Sequence, residues 1–241
     1  MVFVIIRIHD IGNYVLRNYL LETPLGWIAI DSGYAGGFNS YRKRLERLTP
    51  LRTIKYVFLT HAHNDHAGFL GELLEQSGAR LVVSEKSLPR LASGENAMPD
   101  GTGFASRGAL MLSAMMKQSS FPPVLPDAST IVLTSSNDQP FLKMGLPIRV
   151  LFVPGHTADS IALFLEETGD LLCGDAAAKF FLAPARQAIL IEQRSEFGNS
   201  WERMLAVNPT RIYPSHGNPF SPEDLAKYRH CLDDRKLYFP K

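Results

Sequence analysis

Four potential metal ligands fall within six consecutive positions of the segment Thr60-His61-Ala62-His63-Asn64-Asp65-His66. Imidazole nitrogens and carboxylate oxygens are the donors that zinc and related divalent ions take from proteins. In an extended chain residues two apart point the same way, so His61 and His63 can converge on one ion. A turn into a helix then redirects Asp65 and His66 towards a second. The spacing differs from His-Glu-x-x-His, which sets its pair four apart on one helical face for a single ion. Three further candidates each follow an expected strand: His156 in Val153-Pro154-Gly155-His156-Thr157, Asp175 in Cys173-Gly174-Asp175, and His216 in Pro214-Ser215-His216-Gly217. Five of the seven histidines lie in these motifs. His9, in a turn-like segment, and His230, in a terminal helix, read as ordinary exposed or hydrogen-bonded side chains.

The elements that must carry these residues follow from periodicity. Apolar and β-branched runs predict strands near 2–8, 14–21, 26–31, 55–60 and 80–84, separated by turn-prone residues such as Asp10, Gly12 and Pro24. Phe38, Tyr41, Leu45 and Leu48 recur at helical spacing, as do Phe69, Leu70, Leu73 and Leu74, predicting helices over 38–48 and about 67–77. Later come short strands near 130–133, 147–153, 160–166, 170–174 and 210–213, with helices near 196–207 and from about 222. Ser221, Pro222 and Asp224 form a start signal for the last helix. Each ligand motif thus sits at a strand end, where alternating α/β chains assemble sites. Residues 92–128 break the rhythm with Gly94, Pro99, Gly101 and Gly103, a Met-rich stretch and Phe121-Pro122-Pro123. They read as an inserted loop and short helix in an otherwise single domain over 1–241.

Composition narrows the classes. Charged residues make up 20% of the 241 and hydrophobic ones 45%, an ordinary globular balance. A formal net charge of +1 leaves no field for a polyanion, despite the local group Arg42, Lys43, Arg44 and Arg47, so there is no strong nucleic-acid signal. Two cysteines, Cys173 and Cys231, make no disulfide framework. The N-terminal run Val2 to Ile8 lacks the pattern of a signal peptide, and no apolar stretch approaches the roughly 20 residues that span a bilayer. A cytoplasmic protein with a small-molecule substrate and no membrane partner is expected. Oligomeric state is not readable.

The ordered motifs resemble the metallo-β-lactamase superfamily, whose pattern is His-x-His-x-Asp-His, a distant His, a bridging Asp and a final His. The resemblance runs from Asp31 to His216. It implies a four-layer αβ/βα sandwich with two metal ions at the edge between two sheets. It further implies that His61, His63 and His156 hold the first ion, Asp65, His66 and His216 the second, and that Asp175 bridges both. Asp31 in Ile30-Asp31-Ser32-Gly33 matches the family's acidic residue that orients the ligand loop, without itself binding metal. Thr157 and Ser160 are candidates to hydrogen-bond ligands; they also fit the start of a strand. Zinc is the first expectation, with iron or manganese compatible. A pair of ions roughly 3.5–4 Å apart makes hydroxide available near neutral pH, which implies hydrolysis with Asp65 as proton carrier.

The bridging Asp175 is informative, because the β-lactam-hydrolysing branches usually carry cysteine or serine there. The full set looks like that of glyoxalase II thioesterases, lactonases and ribonuclease-Z-type phosphodiesterases. Only 25 residues follow His216, where glyoxalase II has a longer helical region. The lactonase tyrosine is absent too, since Ala176-Ala177-Ala178-Lys179-Phe180-Phe181 follows Asp175. An ester, thioester or lactone carbonyl is the expected target. The alternatives are a mononuclear iron persulfide dioxygenase, phosphodiesterase or β-lactamase-type hydrolysis, a flavin-linked diiron reductase, and a binding protein without catalysis. In the insertion, Leu110, Met111, Met115 and Met116 suggest either ordinary core or a dimer contact, or a lid within 104–118 over the metals.

Overall fold

The computed structural model describes residues 5–13, 15–96, 98–117, 120–180, 182–232 and 234–240, with the side chains of 113–117 and 231 outside the description. The start of the expected first strand, Tyr14, Phe181 and the side chains of Met115, Met116 and Cys231 therefore lie outside the description. The chain opens with β1 (Arg7–Asp10), β2 (Tyr19–Thr23), β3 (Gly26–Ile30), α1 (Phe38–Leu45), β4 (Ile54–Phe58), α2 (Asn64–Ala67), α3 (Leu70–Ser77), β5 (Arg80–Ser84) and α4 (Leu88–Ser93). It continues through β6 (Gly103–Phe104), α5 (Arg107–Lys117), β7 (Ile131–Leu133), α6 (Pro140–Lys143), β8 (Ile148–Phe152), β9 (Ile161–Leu165) and β10 (Asp170–Gly174). Then follow β11 (Leu190–Ile191), α7 (Arg194–Ala206), β12 (Arg211–Pro214) and α8 (Pro222–Leu232). These elements form two compact units, residues 1–96 with 119–147, and residues 97–118 with 148–241.

The first unit is built on a six-stranded sheet ordered β1-β2-β3-β4-β5-β7. The first three strands pair antiparallel, whereas β3, β4, β5 and β7 are parallel. Parallel strands are covered on both faces and read as unbroken apolar runs, and Val57-Phe58-Leu59 and Leu81-Val82-Val83 are buried throughout. One face packs Leu20, Ala29, Val57, Leu59, Leu81 and Val83 against Phe38, Tyr41 and Leu45 of α1 and Leu70 and Leu73 of α3. The helix expected over 67–77 is two pieces. The break falls at Phe69, at φ −122° and ψ 26°; just before it, a Cβ on Gly68 would stand 2.3 Å from the Ala35 nitrogen and 2.4 Å from the Gly33 oxygen. Only a glycine lets the end of α2 come this close to the strand-exit loop.

The second unit holds a four-stranded sheet ordered β12-β10-β9-β8 and a two-stranded ribbon of β11 and β6. Because β10 and β12 are parallel while β9 is antiparallel to both β10 and β8, the strands β8, β10 and β12 all end at the same edge. Phe197, Trp201 and Met204 of α7 and Leu225 and Leu232 of α8 pack on Ala162, Phe164, Leu171, Cys173 and Ile212. The buried indole of Trp201 donates to the Ala176 carbonyl at 2.7 Å, so its one polar atom is satisfied. The expected insertion at 92–128 is divided: 97–118 packs with the second unit and 119–128 with the first. At the start of α8 the Ser221 hydroxyl donates to the Glu223 carboxylate, and Asp224 pairs with Arg186. Among the described residues no helix is long and apolar enough to cross a membrane.

Candidate metal centre

In the first unit, β4 ends at Phe58 and the chain leaves the sheet edge extended through His61 and His63 before α2 turns Asp65 and His66. His61, His63 and His66 are all buried, at 0%, 4% and 0% exposure. Their anchor is Asp31, directly after β3. Its φ of +58° is left-handed, a region that aspartate tolerates better than most residues. Its backbone nitrogen donates to the Phe58 carbonyl at 2.9 Å. Its carboxylate accepts from the Thr60 amide at 2.7 Å, from the Thr60 hydroxyl at 2.8 Å and from His66 Nδ1 at 2.7 Å. Ser32 adds its amide and hydroxyl to the His66 carbonyl, each at 2.7 Å.

This network sets tautomers. His66 donates Nδ1–H to a carboxylate, which leaves the lone pair on Nε2. The Thr60 hydroxyl, spending its proton on Asp31, accepts from His61 Nδ1 at 3.1 Å, so His61 likewise presents Nε2 as a donor atom to metal. That nitrogen lies 3.2 Å from Nδ1 of His63. Two nitrogens each 2.0–2.1 Å from a tetrahedral zinc stand about 3.3–3.4 Å apart. His66 Nε2 is 3.7 Å from Oδ2 of Asp65, a spacing of neighbouring ligands more than of a hydrogen bond. Asn96 holds the start of α2, its Oδ1 accepting from the Asn64 amide at 2.8 Å while its Nδ2 donates to Asn64 Oδ1 at 2.9 Å. Asn96 thereby caps α2 from a distant loop, since His63 at the helix start makes no side-chain cap of its own.

In the second unit, His156, Asp175 and His216 follow β8, β10 and β12 at their common edge. His156 is buried and directs Nδ1 to the Leu190 carbonyl at 2.8 Å, which turns Nε2 to the opposite side of the ring. One oxygen of Asp175, Oδ2, lies 3.7 Å from Nε2 of His156 and 3.5 Å from Nε2 of His216. A single carboxylate oxygen thus faces two imidazole nitrogens at 3.5–3.7 Å. Phe180 packs edge-on to His216, ring centroids 6.2 Å apart, and Lys179 donates its amide to the His216 carbonyl at 2.8 Å. Thr157 and Ser160 bond each other, Oγ1 to Oγ at 2.7 Å, closing the turn that carries His156. Cys173, beneath Asp175, has its thiol pushed up to about 12 by burial.

All seven expected ligands are thus His and Asp side chains with surroundings suited to holding a metal ion. Their donor types, and the hydrogen bonds that direct Nε2 of His61, His66 and His156 away from the protein partner, suit metal ligation. Asn96, Leu190 and Glu192 support the ligand loops and were missed in the sequence; a carbonyl or a lone Asn in a loop carries no signal of its own. On the expected lid helix, Leu110 packs with Phe104, Ala109 and Leu190, whereas the neighbouring Met111 is 80% exposed. Those two residues do not share one lining face.

The comparisons agree with this construction. The chain matches the metallo-β-lactamase superfamily model over residues 17–216, and it belongs to that superfamily. It is 26% identical over 189 residues to the Drosophila melanogaster beta-lactamase-like protein 2 homolog, covering 76% of this chain and 51% of that protein. It is 27% identical over 236 residues to the probable metallo-hydrolase YflN of Bacillus subtilis, covering 89% and 85%. The Cronobacter sakazakii metallo-β-lactamase with a HARLDQ motif matches in structure with a TM-score of 0.68 at 22% identity, over 94% of this chain and 88% of that one. The fold expected from the sequence is therefore the one observed. The chain spans about half the length of several curated relatives it matches, 51–59%.

Proposed function

We propose that the protein is a dinuclear metal-dependent hydrolase acting on an ester, thioester or lactone carbonyl. The observation that carries this reading is Asp175, whose Oδ2 faces both His156 and His216. His61, His63 and His156 would hold one ion, and Asp65, His66 and His216 the other, with Asp175 shared. Nitrogen and carboxylate donors favour zinc. When bound, the ions supply Lewis acidity towards the substrate carbonyl and make hydroxide available near neutral pH.

The chain's own groups do the rest. Asp65, with its side chain 15% exposed against 9% for Asp175, is the more open carboxylate of the candidate set and would take up the proton released during attack. Asp31 and the Leu190 carbonyl hold His66 and His156 with their Nε2 atoms towards the metal side throughout. The imidazoles of His61, His66 and His156 are buried, so charge beside them acts at lower dielectric than in water.

The test is a panel of thioesters, lactones, simple esters, β-lactams and phosphodiesters assayed with and without chelator. Chelator-sensitive turnover of a carbonyl ester class, lost by about a hundredfold or more in Asp65→Ala and in His156→Ala, is the expected result. Activity that survives both substitutions, or oxygen consumption with one iron per chain, contradicts it.

A further inference from the structure

The turn that carries His156 is held from outside by a short stretch of chain preceding α7. Its residues are not adjacent in sequence, yet four hydrogen bonds join them. Glu192 Oε2 accepts from the Ala158 amide at 2.8 Å. The Glu192 amide donates to the His156 carbonyl at 3.2 Å, and the Gln193 amide to the Gly155 carbonyl at 3.0 Å. The Leu190 carbonyl accepts from His156 Nδ1 at 2.8 Å. Three of these are backbone groups that any sequence would offer. On the side of this stretch Glu192 supplies the one side-chain group among the four.

Glu192 is itself buried, at 7% exposure. A buried carboxylate is costly and persists where it is hydrogen-bonded to something that needs it. Here the recipient is an amide two residues beyond His156, on the side of the turn opposite Gly155. The carboxylate and the Leu190 carbonyl thus grip the turn at two points, one fixing the backbone path and the other the ring rotation. Thr157 and Ser160, the sequence candidates for this task, bond each other instead.

We propose that Glu192 is a positioning residue for the metal centre, fixing the His156 turn through the Ala158 amide so that Nε2 of His156 meets its ion. This rests on the reading of His156 as a metal ligand. It assigns no proton transfer to Glu192. What it requires of the side chain is a hydrogen-bond-accepting oxygen at the right reach, which glutamine retains and alanine does not.

The experiment measures zinc binding by competition with a chromophoric chelator in the wild-type chain, Glu192→Ala and Glu192→Gln, alongside the thermal midpoint of each metal-free protein. Outer partners of metal ligands are worth about 10- to 100-fold in affinity. Glu192→Ala is expected to weaken one of two bound ions by that factor while the second changes little, and Glu192→Gln to stay within about threefold of wild type. Cobalt substitution should show the same selectivity as a changed visible spectrum in Glu192→Ala alone. Wild-type affinity for both ions in Glu192→Ala overturns the proposal and leaves the hydrolase reading standing. Equal weakening of both ions, with a fall in the metal-free midpoint and no rescue by glutamine, also overturns it, since that is a folding defect. A wild-type chain that binds no zinc, iron or manganese overturns both.

Discussion

Asp31 is the residue on which the most structure depends for its size. It accepts three hydrogen bonds at 2.7–2.8 Å while 2% exposed and in a left-handed backbone conformation. Asp31→Ala leaves the Thr60 amide, the Thr60 hydroxyl and His66 Nδ1 without their acceptor and places alanine at an unfavourable φ. The expected destabilisation is about 3 kcal/mol or more. Asp31→Asn keeps one accepting oxygen and a side chain at home in the left-handed region, and is expected to lose less than Asp31→Ala. Urea unfolding of the two metal-free variants checks the order; equal losses would contradict the tautomer-fixing network. At this scale the sequence was highly legible. Candidate ligands are chemically distinctive and recur in fixed order, so His61, His63, Asp65, His66, His156, Asp175 and His216 stood out as a set that could hold a metal. Asn96 and Glu192 did not, because a hydrogen bond across 32 or 34 positions leaves no local pattern.

Elements decide how the ligands are held. Gly155 shows this most sharply: its φ is +135°, and a Cβ there would stand 2.3 Å from both the nitrogen and Cα of Phe197. The first turn of α7 therefore lies directly on the His156 turn, and backbone cannot yield as a flexible side chain would. Gly155→Ala is expected to destabilise the protein by more than about 1 kcal/mol and to weaken metal binding with it. A variant with wild-type midpoint and wild-type zinc affinity would contradict this packing. Strands with continuous apolar runs, such as β4, β5, β9 and β10, were readable from the sequence to within a residue or two. The helix expected over 67–77 begins as α3 at Leu70, because Phe69, at φ −122° and ψ 26°, leaves the helical conformation that Gly68 still holds. Likewise the two-residue β11 and four-residue α6 are too short to impose a period. The strand expected from 14 begins at Tyr19, since Asn13 Oδ1 accepts from the amides of Val15 and Leu16 and makes a turn there.

At the scale of the molecule, the sequence pattern, the sheet topology and the superfamily match over residues 17–216 agree. What they leave to experiment is the metal. The candidate ligands stand at strand ends, His61, His63, Asp65 and His66 after β4, and His156, Asp175 and His216 after β8, β10 and β12. A ligand that binds only the folded chain stabilises it by about 2.7 kcal/mol at a hundred times its dissociation constant. Metal loading is therefore expected to raise the thermal midpoint, and chelation to lower it. The division of the 92–128 segment between the units was not visible in its composition, because Gly- and Pro-rich sequence marks where order changes without saying which core receives it. The most direct measurement is metal quantification by mass spectrometry of purified wild-type protein and of Asp175→Ala. Two divalent ions per wild-type chain, with at most one retained in Asp175→Ala, is the expected result; a wild-type chain holding one ion or none, or Asp175→Ala retaining two, would contradict the account.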